Sequence, residues 1–225
     1  MESARADVLI ETIRCCADGE LPWWPWHRQR LTRSASELGF PTVPDDLRQR
    51  VADAVSKDPG APGDTAGLRR IRLLYARTGQ IDIQIFPLAA MAGPPLLGFA
   101  QDILGNAAVL DPAEPLLQHK ATYRPWYGTA THWLAQHPAV FDLAFFNVRG
   151  ELCEGSRSNV YVKLAGQWLT PPIEAGCLPG TLRARLLSEK QVQIATLTRA
   201  DLNEAEAWRL SNGLRGWFDV RLLGN

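Results

Sequence analysis

The run from Phe141 to Lys190 leaves the chain little choice of local structure, because turn-forming residues punctuate it at short intervals. Apolar Phe141–Asn147 reads as a buried strand followed by Gly150-Glu151. The small polar loop Glu154-Gly155-Ser156-Arg157-Ser158-Asn159 comes next. Val160–Leu164 and Gln167–Thr170 then make a strand pair around Ala165-Gly166. After Thr170-Pro171-Pro172, a helix over Leu178–Lys190 opens at Pro179-Gly180. Strand, turn, strand pair and helix in close succession point to a mixed α/β architecture.

The flanking sequence extends this pattern. Val8–Cys15 (VLIETIRC) alternates as a strand, and Ala17-Asp18-Gly19-Glu20 supplies turn chemistry. Leu31, Ala35 and Leu38 fall at helical spacing in Trp26–Leu38, with Gly39 placed to end the helix at positive φ. A second helix is read over Asp45–Val55, a Gly/Pro loop over Pro59–Gly67, and a hairpin from Leu68–Ala76 and Ile81–Pro87 around Thr78-Gly79. Tyr127–Ala135 reads as helix, and Ala207–Ser211 and Phe218–Leu222 as short closing strands. The expected organisation is a smaller N-terminal α/β lobe over 1–90, a Pro- and Gly-rich crossover over 91–115, and a larger C-terminal lobe over 116–225. The expected fold class is α/β (α+β mixed).

Composition narrows the function classes. The 225 residues suffice for one large domain or two small ones. Lys plus Arg (24) equal Asp plus Glu (24), so no net charge favours nucleic acid or an anionic membrane as partner. Cys15, Cys16, Cys153 and Cys177 form no CxxC pair, which argues against a zinc site or disulfide framework, and no metal is expected. No apolar run approaches a membrane span, and Met1–Asp7 lacks a signal-peptide core. The expected location is the cytoplasm. Eight tryptophans, three of them in Trp23-Trp24-Pro25-Trp26, suit either an interface or a core.

Four segments carry the chemistry: Trp26-His27-Arg28-Gln29-Arg30-Leu31, Gln118-His119-Lys120-Ala121-Thr122-Tyr123-Arg124, the run from Phe145 to Leu187, and Ser211-Asn212-Gly213-Leu214-Arg215-Gly216. In this order, with Glu-Gly-x-x-x-Asn, Thr-Pro-Pro and Leu-Pro-Gly in the third, they resemble the class IV aminotransferase family, the fold-type IV pyridoxal 5′-phosphate (PLP) enzymes. The resemblance covers about Glu11 to Leu222. It implies two lobes with PLP between them, a small-molecule substrate and a homodimer.

The resemblance also implies roles. PLP is attached through an amine, which among side chains only lysine provides, and the chain has four lysines: Lys57, Lys120, Lys163 and Lys190. Lys120 matches the family's cofactor-linking lysine. Glu154 matches the carboxylate facing the pyridine nitrogen. The backbone N–H groups of Gly180, Thr181 and Leu182, at a helix start, match one half of a phosphate cradle. Ser211 and Asn212 match the other, and Arg30 the phosphate's cation. Read alone, each is ordinary: a surface lysine, a turn carboxylate, a Pro-Gly turn, a surface arginine.

Within the family, Glu11-Thr12-Ile13-Arg14, His119-Lys120-Ala121-Thr122-Tyr123-Arg124 and Ser211–Gly216 resemble 4-amino-4-deoxychorismate lyases, although Ala121 departs from the commoner Thr. The chain also begins near where lyase domains fused to aminodeoxychorismate synthase begin, and the resemblance to the lyases implies a pathway link to that synthase. This implies elimination of pyruvate to give 4-aminobenzoate, with Thr12 assisting proton handling and Arg124, Arg157 and Arg215 as candidates for the substrate's carboxylates. The alternatives are a class IV aminotransferase acting on branched-chain or D-amino acids, and a non-catalytic PLP-binding paralogue.

Overall fold

A computed structural model describes residues 6–58, 67–91, 93 and 95–224. The first five residues, and the expected Gly/Pro loop apart from Gly67, lie outside them. The chain divides into two compact units, Met1–Ala90 with His119–Tyr123, and Met91–Gln118 with Arg124–Asn225.

The first unit is a three-stranded antiparallel sheet with two helices. Its elements are β1 (Val8–Cys15), α1 (Trp24–Glu37), α2 (Leu47–Lys57), β2 (Arg69–Ala76) and β3 (Ile81–Pro87), in sheet order β1-β2-β3. Alternation sorts β1 into two faces. Leu9, Glu11, Ile13 and Cys15 are buried, opposite Tyr75, Leu73 and Ile71 of β2 along the same face. Helix α1 packs on β1 and buries Trp24, His27, Leu31, Ser34 and Ala35, a stripe at helical spacing. The helix starts two residues before its expected Trp26 because Pro25 is tolerated in a first turn, where its missing N–H has no partner to lose. Gly39 takes φ 68° just past the helix end. Trp23 and Trp24 are buried and belong to the core.

His119–Tyr123 returns to this unit as a short edge segment. Ile10 N–H donates to Lys120 O at 2.8 Å and Thr122 N–H to Val8 O at 3.0 Å, around an antiparallel Leu9–Ala121 bridge.

The second unit holds β4 (Leu96–Phe99), α3 (Ala100–Leu104), β5 (Val109–Leu110), α4 (Gly128–Gln136), β6 (Val140–Asn147), β7 (Leu152–Gly155) and β8 (Asn159–Leu164). It continues with β9 (Gln167–Thr170), α5 (Thr181–Ser188), β10 (Gln193–Ile194), α6 (Arg199–Leu202), β11 (Ala207–Asn212) and β12 (Gly216–Leu222). The strands form one sheet in the order β10-β9-β8-β11-β12-β4-β6-β5, with β7 paired to β6. Apolar clusters include Leu117, Tyr127, Leu134 and Phe145 in one and Phe146, Val160, Trp208 and Leu210 in another.

Two expectations are corrected here. Residues 91–115 are not a bare crossover: they supply β4, α3 and β5, and β4 joins β12 to β6 through parallel pairing. Elements of two to five residues are too short to display a period. The helix expected over Leu178–Lys190 is Thr181–Ser188, because Gly180 is extended (φ −66°, ψ 146°) and Lys190 takes positive φ.

Candidate active site

In the first unit, β1 carries Glu11 on its buried face and Thr12 on the opposite one. Arg30 Nε donates to Glu11 Oε1 at 2.8 Å and Nη2 to Oε2, while His27 Nδ1 lies 2.6 Å from Oε2. Residues 27 and 30 reach one carboxylate because they stand one turn apart on α1. Burial acts to raise the Glu11 pKa, but the Arg30 charge and the hydrogen bonds of His27 and Arg30 outweigh it and bring it to about 2. Burial lowers the His27 pKa; Glu11 opposes this, and the Arg30 and Lys120 charges add to it. The neutral imidazole therefore donates from Nδ1 to Glu11, leaving Nε2 as an acceptor that is buried and meets no partner among the described residues. Arg30 Nη1 also makes no hydrogen bond among them.

The register of the Leu9–Ala121 bridge sets Lys120 opposite Ile10, on the face of Thr12 and Arg14. That face has a feature the sequence reading missed. Arg14 stands directly across from Arg70, and Thr12 from Arg72. Arg70 covers the Phe86 ring at 4.5 Å, and among the described residues Arg72 reaches only Gln84 at 3.4 Å and the buried Nε of Arg14 meets no hydrogen-bond partner. Among the described residues none of the three meets a carboxylate. The signal was legible: arginines two apart in a strand, Arg70-Ile71-Arg72, share one face.

In the second unit, Glu154 is the penultimate residue of β7 and is 2% exposed. Tyr127 Oη donates to its Oε1 at 2.7 Å, Arg124 Nη2 lies 3.7 Å from the same oxygen, and Asn159 Nδ2 is 3.4 Å from Oε2. The loop behind Glu154 is pinned by Asp142, which is fully buried. Asp142 accepts from Leu143 N, Ser156 N, Ser156 Oγ, Arg157 N and Ser158 Oγ. Gly155 is required there, since a Cβ would collide with the Asp142 carboxylate. Neither Tyr127 nor Asp142 stood out in sequence, because each reads as one more residue of a helix start or an apolar strand.

Helix α5 is entered through Gly180 with no side-chain cap, so its first N–H groups at Thr181 and Leu182 keep the positive dipole end that suits a phosphate. A Cβ on Gly180 would strike Asn159 Oδ1, whose Nδ2 donates to Leu178 O at 2.8 Å. Ser211 Oγ pairs with Tyr161 Oη at 2.7 Å, and Asn212 Oδ1 accepts from Leu214 N and Arg215 N, closing the β11–β12 turn. Of the three arginines first considered for substrate, Arg124 is held at Glu154 and Ser156 O, and exposed Arg157 lies over the Phe141 ring. Arg215 sits in the β11–β12 turn. A concavity lined by Phe99, Arg199, Trp208 and Leu222 contains none of these residues, and its Arg199 is already paired with Asp102.

The donor sets fit PLP. One unit offers an amine, an arginine nitrogen and an orphaned buried imidazole nitrogen. The other offers a held carboxylate and an uncapped helix start. The fold is that of a fold-type IV PLP enzyme. Residues 8–223 match the family model described as amino-transferase class IV, and the chain belongs to that family.

Among its relatives is the "Putative aminodeoxychorismate lyase" of Schizosaccharomyces pombe, 28% identical over 203 residues, 88% of this chain and 83% of the relative. A solved "Putative amino-acid aminotransferase" from Mesorhizobium loti is 31% identical with a TM-score of 0.83, covering 96% of this chain and 99% of that one. A "Putative 4-amino-4-deoxychorismate lyase" from Legionella pneumophila is 28% identical with a TM-score of 0.79, covering 98% and 84%.

Proposed function

We propose that the protein is a 4-amino-4-deoxychorismate lyase, releasing pyruvate and 4-aminobenzoate. The observation that carries this reading is the sheet face bearing Thr12, Arg14, Arg70 and Arg72, where three guanidiniums meet no carboxylate among the described residues. Like charges directly opposite across a strand pair are unfavourable. Such a face suits a ligand with more than one carboxylate better than a branched-chain amino acid with one.

In this reading Lys120 links the cofactor and Glu154 pairs with its ring nitrogen. Arg30, the N–H groups of Gly180, Thr181 and Leu182, and Ser211 and Asn212 hold its phosphate. Bound PLP supplies an electron sink for the carbon carrying the substrate's amine. The Lys120 amine would take the proton from that carbon. The enolpyruvyl group departs, collects a proton and becomes pyruvate, and the ring becomes aromatic. Thr12 assists by delivering or orienting the proton at the leaving oxygen. Arg14, Arg70 and Arg72 anchor carboxylates, with Arg124, Arg157 and Arg215 as further candidates. The protein would then act in folate biosynthesis, downstream of an aminodeoxychorismate synthase, as a cytoplasmic homodimer. Among the described residues no helix is long and apolar enough to cross a membrane.

The test supplies aminodeoxychorismate, made in situ by its synthase, to the PLP-loaded protein. Equimolar 4-aminobenzoate and pyruvate are expected, and their absence overturns the proposal. Lys120→Ala should eliminate both products and prevent borohydride from trapping the cofactor on the chain. Thr12→Ala should slow elimination about 10²- to 10⁴-fold, the usual worth of positioned proton transfer. The likeness to the Mesorhizobium loti protein favours a second reading, transamination of an amino acid, with branched-chain and D-amino acids as the substrates to try. Conversion of the cofactor to its amine form by such an amino acid alone would support it.

A further inference from the structure

Glu154 is gripped by groups that pairing with a ring nitrogen does not by itself require. Tyr127 closes a 3-10 turn, Pro125–Tyr127, that runs directly into α4, so its ring has little freedom. The ring packs edge-on against Phe145 at 5.0 Å between centroids, and the Arg124 guanidinium lies 4.4 Å from its centre. From that fixed ring the hydroxyl donates to Glu154 Oε1. Burial raises the Tyr127 pKa well above its ordinary value, and the Glu154 charge raises it further, so the phenol keeps its proton and remains a donor.

A glutamate carboxylate turns about three side-chain bonds. Backbone placement on β7 alone leaves the direction of its oxygens open. A short charge-assisted hydrogen bond from a rigid ring removes that freedom. We propose that Tyr127 is a positioning residue for Glu154: its hydroxyl fixes Oε1 and so sets the direction in which the carboxylate meets the cofactor's ring. The inference rests on the reading of Glu154 as the ring-nitrogen partner.

Tyr127→Phe keeps the ring packing and removes only the donor. PLP binding by the wild-type protein, Y127F, E154Q and the double variant is measured by tryptophan quenching and by the absorbance of the bound cofactor, with thermal melting to confirm folding. Y127F is expected to weaken PLP binding about tenfold, in keeping with loss of a hydrogen bond to a charged group, and to shift the cofactor's absorbance. In the E154Q background the same substitution should add less than about twofold, because its effect passes through Glu154. A merely structural tyrosine would instead weaken both backgrounds equally. Wild-type affinity in Y127F, or an undiminished effect in E154Q, overturns the inference and leaves the role of Glu154 standing. Wild-type affinity and absorbance in E154Q overturn both. Should Y127F not fold, Glu154→Asp draws the carboxylate one methylene away from Tyr127 with its charge kept. It should lose about tenfold in affinity, and full affinity in E154D overturns the inference.

Discussion

Glu11 and Arg30 form a bidentate ion pair inside the first unit, with Glu11 2% and Arg30 8% exposed, and His27 leans on the same carboxylate. Stability should therefore depend on pH. The Glu11 pKa falls from 4.5 to about 2 on folding, so the unfolded chain binds its proton first. The resulting stabilisation, on the order of 3 kcal/mol, is complete above about pH 5 and lost as pH falls toward 2. The His27 pKa is also lowered on folding, so its contribution declines in the same direction, beginning as pH drops below the ordinary histidine value. Urea denaturation between pH 7 and pH 3 checks this, and a flat profile would contradict it.

Removing one partner of that pair should cost more than acidification. Glu11→Gln leaves a buried guanidinium without a counter-charge, so about 3–5 kcal/mol should be lost. Chemical denaturation of the apo protein reads this without reference to activity.

The Arg14–Arg70 pair makes a two-sided prediction. Arg70→Ala removes a like charge opposite Arg14, so apo stability should stay level or rise by a few tenths of a kcal/mol. The same change, and Arg72→Ala, should raise KM for a carboxylate-bearing substrate about tenfold with a smaller effect on kcat. Steady-state kinetics and thermal melting of the same samples test both halves.

Asp142 organises the Glu154–Asn159 loop through four donors, Ser156 N and Oγ, Arg157 N and Ser158 Oγ, and accepts a fifth bond from Leu143 N. Asp142→Ala strands these groups in a buried site and should destabilise the protein by about 3 kcal/mol or more, since each unsatisfied polar group costs roughly 1–3 kcal/mol. Proteolysis within residues 154–159 should become faster, which mass spectrometry of the fragments would show.

Thiol chemistry should be selective. Burial raises the pKa of Cys15, Cys153 and Cys177, that of Cys177 to about 12, and Cys153 Sγ also donates to Ala175 O at 2.9 Å. Cys16 is the half-buried one. A thiol reagent on the native protein should label Cys16 alone, and rapid labelling of a second cysteine would count against the packing described.

What the sequence settles by itself is local. Alternation in VLIETIRC makes a strand because side chains two apart share a face, and Leu31, Ala35 and Gly39 mark a helix and its end for equally local reasons. The ordered motifs from Glu154 to Gly180 also declare the family, since each turn demands its residue where it stands. Partners are another matter. Arg30 meets Glu11 across 19 positions, Tyr127 meets Glu154 across 27, and Arg14 faces Arg70 only through the register of β1 on β2. Register and packing depend on every turn and buried contact between the two positions. Only the tertiary structure decides which charges are neutralised and which are left without a counter-charge.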